Sequence, residues 1–221
     1  MIQLKNITKT FTLNNNQIVA LNNINLTFNK GEIILLQGAS GSGKSTILSL
    51  IARLSKPTTG EVIVNNQRVS KLNDDFASIY RRENIGFIFQ KFNLIPNLTV
   101  KDNIILPLIP LNLPQNIIQE KLDIVMEKFS ISHKQDIIVK SLSGGEQQRV
   151  AIARGYINDP KIILADEPTA NLDKKLSEDF IKLLKDLKSK DKTIIIATHD
   201  PLFLNLDFID HIYNISNGQI I

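Results

Sequence analysis

Apolar residues along this 221-residue chain follow two spacings, and their order predicts an α/β fold. Near the start, Ile24, Leu26 and Phe28 alternate with polar residues, which predicts a half-buried strand. Continuous apolar runs predict buried strands at residues 32–36, 61–64, 85–89, 162–165 and 193–197. A glycine-rich stretch and a helix over 44–54 follow the first of these runs. Strands that alternate with helices are typical of an α/β sheet.

The middle of the chain has helical rather than strand-like spacing. Residues 91–140 combine proline-bearing loops with apolar positions at helical spacing over 115–129, and Thr99 with Asp102 has the spacing of a capping box. A further helix begins at Ser143, which has with Glu146 the spacing of a capping box. An apolar stripe over 176–187 predicts a core-facing helix. The tail, 208–221, predicts a hairpin that turns at 216–218. We therefore expect a mostly helical insertion between two parts of an α/β core.

Composition narrows the class of protein. The net charge of +4, from 26 basic and 22 acidic residues, is mild and scattered, so we expect no nucleic-acid partner. The absence of cysteine excludes disulfides, thiolate zinc sites and iron–sulfur clusters. The N-terminus lacks a signal-peptide pattern, and no apolar run approaches the roughly 20 residues that span a bilayer. If this chain acts at a membrane, we expect a partner protein to supply the membrane-spanning segments.

A phosphate-binding loop is the strongest local signal. The chain matches Gly-x4-Gly-Lys-Ser/Thr between a buried strand and a helix. Glycines let the backbone wrap phosphates with its N–H groups inward, and the helix offers them its positive end. Lys44 is expected to reach the β- and γ-phosphates of a nucleotide, and Ser45 to ligate Mg²⁺. The predicted loop residues are Gly38, Ala39, Ser40, Gly41, Ser42, Gly43, Lys44, Ser45 and Thr46.

Two acids end the predicted strand over 162–165. Asp166 suits the carboxylate that holds Mg²⁺ in a phosphate-loop NTPase, and Glu167 is placed to polarise an attacking water. Two acids at a strand end could also be solvated side chains. The sequence that follows, from Pro168 to Asp173, continues a known pattern and favours the catalytic interpretation.

Taken together, these motifs resemble those of ATP-binding cassette (ABC) ATPases over nearly the whole chain. The resemblance implies an α/β phosphate-loop (RecA-like) core with an antiparallel β subdomain and an inserted α-helical subdomain, as one domain over 1–221. The core would comprise 1–90 and 156–221, and the helical part 91–155. It also implies ATP and Mg²⁺ as cofactors, and ATP hydrolysis as the reaction.

Further site residues follow from the resemblance alone. Gln90 matches the Q-loop glutamine that senses Mg²⁺ and water, and His199 matches the switch histidine that contacts the γ-phosphate. Phe11 lies where the family has an aromatic residue that stacks on adenine, although an ordinary strand-end aromatic is a serious alternative. The signature motif and the D-loop match Leu142, Ser143, Gly144, Gly145 and Glu146, and Asn171, Leu172 and Asp173.

In the family pattern, the signature motif does not touch the nucleotide held by its own phosphate loop. Ser143 and the start of the following helix would cap the γ-phosphate held by a second chain, through backbone donors and the helix dipole. The resemblance thus implies a head-to-tail homodimer with ATP between the chains. Hydrolysis would remove the γ-phosphate bridge and release them.

The run from Ile85 to Val100, and Ala165 before the two acids, are similar to the ATPases of lipoprotein-release (LolD) and macrolide-efflux (MacB) systems. That similarity implies a peripheral subunit at the cytoplasmic face of the inner membrane, docked on a permease through 91–140. The cell-division ATPase FtsE is close too, so an ATPase that regulates cell-wall hydrolases is the alternative. A soluble nucleic-acid or ribosome factor is a remote third. Val139, Gly155 and Tyr156 depart from the family pattern.

Overall fold

The computed structural model describes residues 1–14, 16–170, 172–188 and 192–221. Its strands are β1 (Ile2–Leu13), β2 (Asn16–Phe28), β3 (Ile33–Gln37), β4 (Thr59–Val64), β5 (Ile85–Ile88), β6 (Ile162–Asp166), β7 (Thr193–Thr198), β8 (His211–Ser216) and β9 (Gln219–Ile220). Its α-helices are α1 (Lys44–Ile51), α2 (Asp74–Asn84), α3 (Val100–Ile105), α4 (Gln115–Lys128), α5 (Gly144–Tyr156) and α6 (Lys174–Lys188). Short 3₁₀ helices occupy Val69–Lys71, Leu106–Leu111, Ser132–Lys134, Val139–Ser141 and Pro201–Phe203.

The central sheet has the order β5-β6-β7-β3-β8-β9 and is parallel except for β9, which pairs antiparallel with β8. Alternate residues of its inner strands belong to two different cores. Ile33 and Leu35 pack with α5 and α6, whereas Ile34 and Leu36 pack with α1 and the N-terminal strands. Burial on both faces explains why these strands are continuous apolar runs rather than alternating ones.

A second, antiparallel sheet of order β2-β1-β4 covers one of these cores. Its register places Leu4 opposite Leu26 and Phe11 opposite Ile18, with bulges between the two regions. The alternation of Ile24, Leu26 and Phe28 with exposed residues follows the predicted pattern, because one face packs inward and the other meets solvent. The architecture is the expected phosphate-loop core with an antiparallel β subdomain.

The insertion after β5 is mostly helical, as expected. Both predicted capping boxes are present: Thr99 caps α3 with Asp102, and Ser143 caps α5 with Glu146. Apolar side chains of α3, α4 and α5 pack into the same core as one face of the central sheet. The insertion and the sheet therefore share one continuous hydrophobic core. The domain boundaries after residues 90 and 155 therefore stay predictions.

Two local expectations need correction, and one helix lies where none was predicted. Helix α1 ends at Ile51, because Ala52 is its C-cap and Arg53 takes a left-handed backbone with φ of 55°. Helix α2 has no counterpart among the predicted elements. The first strand of the C-terminal hairpin begins at His211 rather than at 208. None of the described helices is long and apolar enough to cross a lipid bilayer.

Candidate functional site

The polar residues of the predicted site follow the carboxyl ends of neighbouring parallel strands. Gly38 follows β3, Glu167 follows β6 and His199 follows β7, while Gln90 lies two residues beyond β5. Strand β6 lies between β5 and β7, and β7 pairs with β3, so all four ends lie at one edge of the sheet. This edge is where open parallel sheets bind ligands.

The phosphate loop runs from the end of β3 into α1, and the surrounding backbone presses closely on it. A Cβ atom at Gly38 would lie 2.2 Å from the Ile215 carbonyl oxygen, and one at Gly43 would lie 2.7 Å from that of Ala20. Gly43 also has a φ of 110°, which side-chain-bearing residues rarely adopt. The Gly218 N–H donates to the Ser42 carbonyl at 3.0 Å and supports the loop from the C-terminal hairpin. These glycines are thus required by close approach of the backbone.

Lys44 is buried, and its ammonium group connects the loop with Glu167. Its Nζ donates to the carbonyl oxygens of Gly38 at 2.7 Å and Ala39 at 3.0 Å, and lies 3.5 Å from Glu167 Oε1. The structure thus brings the predicted phosphate-binding lysine and the predicted catalytic carboxylate together.

The side-chain oxygens of Ser45, in the phosphate loop, and Asp166, at the end of β6, lie next to each other. Ser45 Oγ donates to Asp166 Oδ1 at 2.8 Å. Burial raises the pKa of the Asp166 carboxyl and proximity to Glu167 adds to this, whereas the Ser45 hydrogen bond and Lys44 oppose it. A carboxylate crowded by a second carboxylate gains stability from a nearby cation. Hydroxyl and carboxylate oxygens are ligands that Mg²⁺ accepts.

Glu167 is the most highly connected residue of the site. Thr198 Oγ1 donates to Glu167 Oε2 at 2.9 Å, and Glu167 Oε1 lies 2.9 Å from His199 Nδ1. The Glu167 backbone has a φ of 44° and its N–H donates to the Ala197 carbonyl at 2.8 Å. The carboxylate is therefore held between β6 and β7, with the exposed His199 ring next to it.

The signature residues lie at the start of α5. Ser143 N–H donates to Glu146 Oε2 at 2.9 Å, and hydrogen bonding to Ser143 lowers the pKa of the Glu146 carboxyl. Gly145 is buried, and a Cβ there would lie 2.4 Å from Leu176 Cδ1. Among the described residues, no hydrogen bond or ion pair joins 143–146 to the phosphate loop.

The remaining predicted residues lie elsewhere. Phe11 is 41% exposed on β1, with the Lys9 Nζ 4.7 Å from its ring centroid. Asp173 accepts the Leu176 N–H at 2.9 Å at the start of α6. Asn171 of the predicted D-loop lies outside the described residues. Gln90 is exposed in the turn after β5.

Sequence reasoning missed two polar groups that organise the site. Thr198 contacts Glu167 and also accepts the Asp200 N–H at 3.0 Å. Thr169 Oγ1 donates to Asp200 Oδ2 at 2.7 Å, so the segments after β6 and β7 are tied together. The position of Thr198 between a buried strand and His199 was the available signal, but its partner is distant in the chain.

Comparisons with known proteins agree with this geometry. The family model described as ABC transporter matches residues 21–170. The uncharacterized ABC transporter ATP-binding protein MJ0796 of Methanocaldococcus jannaschii is 46% identical over 205 residues, which are 90% of this chain and 87% of that protein. The macrolide export ATP-binding/permease protein MacB of Vibrio parahaemolyticus is 37% identical over the whole chain, which spans 34% of that protein.

A solved structure is similar over the full chain. It is the dimeric post-hydrolysis state of the ATP-binding cassette MJ0796 bound to ADP and Pi, with a TM-score of 0.92 and 41% identity. The match covers 100% of this chain and 96% of that one.

Proposed function

Because this chain belongs to the ABC transporter family of ATP-binding proteins, we propose that it powers a separate membrane permease through cycles of ATP-driven dimerisation. As a family member it is an ATPase, and it belongs with the MacB- and LolD-like ATP-binding subunits. The observation that carries the proposal is the cluster of Lys44, Glu167 and His199 beside the phosphate loop.

Each residue of this cluster has a part in hydrolysis. Lys44 would bind the β- and γ-phosphates, and Glu167 would orient the attacking water and accept its proton. The ring of His199, adjacent to Glu167, would contact the γ-phosphate. Thr198 holds the Glu167 carboxylate in place through its hydrogen bond. Phe11 would stack on the adenine, because its ring is accessible on β1.

The Ser45–Asp166 pair fits Mg²⁺, since both groups offer the oxygen ligands that this ion prefers. No group of three His, Cys, Asp or Glu side chains among the described residues forms a metal site, so protein ligands would be few and phosphate oxygens would complete the shell. When bound, Mg²⁺ would neutralise charge on the phosphates. Gln90, beyond the neighbouring strand β5, would monitor this ion and the attacking water.

The dimer of the proposal is head to tail. Ser143 and Gly144 are exposed at the start of α5, a 13-residue helix whose N-terminal N–H groups suit an anion. Ser143–Glu146 would cap the γ-phosphate held by the partner chain, and Asp173 would lie near the same junction. The dimeric structure of the MJ0796 cassette supports the formation of a dimer.

Docking to the permease is assigned to 91–140. Large apolar side chains are exposed there, among them Ile109 at 59% and Ile124 at 58%. The permease would hold the chain at the cytoplasmic face of the membrane, and would transmit ATP-driven motion for lipoprotein release or efflux. Similarity to the macrolide export ATP-binding/permease protein MacB, whose name joins ATP binding and a permease, supports a permease partner.

The catalytic part of the proposal is tested with Glu167→Gln. The amide removes the base but keeps the shape, so the variant is expected to form ATP-dependent dimers in light scattering and to lose nearly all phosphate release. The exposed Glu83→Gln serves as the control and should match the unmodified chain. Full turnover of Glu167→Gln would show that Glu167 has a different role.

The docking part is tested with Ile109→Asp. We expect this variant to keep its ATPase activity but to lose association with membranes from its source cells, measured by sedimentation. Leu54→Asp, at an exposed apolar residue outside 91–140, should still sediment with them. Equal membrane binding of the two variants would place the docking surface elsewhere.

A further inference from the structure

The carboxyl end of helix α5 lies directly against strand β5. A Cβ atom on Gly86 would lie 2.4 Å from the Gly155 carbonyl oxygen, so the two backbones meet without intervening side chains. Arg154 precedes Gly155 on the helix and lines a groove with Phe87, Pro107 and Pro110. Since β5 leads to Gln90, this contact puts the end of the signature helix beside the Q-loop.

The turn that follows Gln90 has an unfavourable backbone. Phe92 and Asn93 have φ values of 58° and 50°, which place two consecutive side-chain-bearing residues in the left-handed region. Asparagine tolerates this conformation, but a bulky aromatic residue adopts it rarely. Such a turn persists only where surrounding contacts fix it.

Arg154 makes those contacts. Its Nη1 donates to the Asn93 carbonyl at 2.5 Å, and its Nη2 donates to the Phe92 carbonyl at 2.7 Å. The planar guanidinium suits two adjacent acceptors, and hydrogen bonds from a charged donor are stronger than neutral ones. Burial lowers the pKa of the Arg154 guanidinium, which marks a partly desolvated charge whose hydrogen bonds are correspondingly important.

We propose that Arg154 is a positioning residue for ATP hydrolysis, which fixes the turn at Phe92 and Asn93 and thereby sets the place of Gln90 in the site. The inference rests on the role proposed for Gln90. It also couples the signature helix to the Q-loop within one chain, because both ends of α5 then belong to functional segments.

The test is a double-mutant cycle on the purified chain. Arg154→Ala is expected to lower kcat roughly tenfold or more, as the loss of two charge-assisted hydrogen bonds implies, with the KM for ATP within about twofold. Arg154→Lys, which can serve one of the two carbonyls, should recover part of kcat. Because Arg154 acts through Gln90, adding Arg154→Ala to Gln90→Ala should lower kcat no further.

Arg82 provides the matched control. Arg82 lines the same groove as Arg154. Among the described residues, the carbonyl oxygens of Phe92 and Asn93 accept hydrogen bonds from Arg154 and none from Arg82. Arg82→Ala should leave kcat unchanged in both backgrounds. Independent, multiplying losses in the Gln90 and Arg154 double variant would overturn the inference, as would wild-type kcat in Arg154→Lys and Arg154→Ala. If Arg154→Ala does not fold, Arg154→Lys and its double variant with Gln90→Ala carry the same comparison.

If the chain does not power a membrane permease, a different set of results is expected. In that case the isolated chain would show the expected cycle, but no membrane partner would bind it. The cycle uses the isolated chain alone, so the two outcomes are separable.

Discussion

A buried hydroxyl, that of Thr198, is among the groups that orient the Glu167 carboxylate. Thr198 is 1% exposed and donates to Glu167 Oε2, while the other oxygen of the carboxylate faces Lys44 and His199. The Glu167 backbone lies in the left-handed region, which glutamate seldom adopts, so neighbouring contacts are needed to keep it there. The side chain that acts on water is therefore set by strand β7 as much as by its own strand.

Thr198→Val tests this dependence at the residue scale. Valine keeps the shape but removes the donor to Glu167 and the acceptor of the Asp200 N–H, so we expect turnover to fall severalfold with ATP affinity unchanged. Leaving these buried groups unpaired should also cost about 1–3 kcal/mol of unfolding free energy. Phosphate release and urea denaturation measure the two effects.

Thr193→Val is the matched control for that change. Thr193 lies at the other end of β7, is buried, and accepts the Gly31 N–H at 3.0 Å. We expect a similar loss of stability and normal turnover. Equal turnover in both variants would contradict the positioning of Glu167 by Thr198.

Site residues that belong to a short sequence motif are predictable from the sequence. Site residues that act through partners distant in the chain are not. Lys44 and Asp166 are recognisable because motif spacing and a buried strand surround each of them. Thr198 and Arg154 gain their roles from partners about 31 and 62 positions away in the chain. No pattern of residue types within a short window contains that information.

At the scale of secondary-structure elements, helix α5 and strand β5 pack together where Gly155 faces Gly86. Gly86 has no space for a side chain, because a Cβ would press on backbone atoms of Gly155 that cannot move alone. Gly155, by contrast, would place its Cβ 3.3 Å from the nearest atom, the Phe87 carbonyl oxygen. At this junction there is thus much less space for a Cβ atom on Gly86 than for one on Gly155.

Gly86→Ala and Gly155→Ala form a matched pair. We expect Gly86→Ala to lower the unfolding free energy by about 1–3 kcal/mol through overpacking. Gly155→Ala should have a much smaller effect, since the gain of roughly 1 kcal/mol in helix propensity offsets the tight contact. Urea denaturation of both variants measures the difference, and a smaller loss for Gly86→Ala than for Gly155→Ala would contradict the described packing.

One helix and the end of another show where patterns fail at this scale. Helix α2 buries only Ala77 and Tyr80, so its apolar spacing is weak, although Asn73 caps it by accepting the Phe76 N–H at 3.0 Å. Helix α1 ends three residues before the predicted end, at a left-handed arginine rather than at a glycine. Tertiary packing decides where α1 ends, whereas α2 does carry local signals, since Asn73 caps it and Asp74 and Asp75 lie in its first turn.

For the molecule as a whole, Asp210 joins three elements and should make stability sensitive to acid. Its Oδ2 accepts the Ile33 N–H and its Oδ1 accepts Lys188 Nζ, both at 2.7 Å, which ties β3 and the end of α6 to the start of β8. Burial pushes the pKa of Asp210 upward, but the hydrogen bonds from Lys188 and Ile33 outweigh it and lower the pKa below its usual value.

Since the folded-state pKa is depressed, the carboxylate stabilises the fold above its unfolded pKa of about 4, and that contribution is lost as pH falls through the folded value. Asp210→Asn should therefore destabilise the chain at pH 7, and the gap in urea midpoint should close in acid. Asp207→Asn, at an 82% exposed partner of Lys185, should show no such pattern. A gap independent of pH would contradict the role of the Asp210 charge.

In the proposed dimer, one chain supplies the phosphate loop for one nucleotide and the signature motif that covers the other nucleotide. The chain has no cysteine, so introduced cysteines report on single positions. Ser40 and Ser143 are both exposed, and they stand for the loop and the signature motif. Both changes are made in the Glu167→Gln background, where ATP should hold the dimer together.

The most direct measurement mixes chains carrying Ser40→Cys with chains carrying Ser143→Cys, and treats them with a short thiol-reactive cross-linker in ATP. We expect cross-linked dimers in the mixture, few in either variant alone, and few without ATP. Cross-linking of either variant with itself to the same extent, or none in the ATP-bound mixture, would contradict the head-to-tail sandwich.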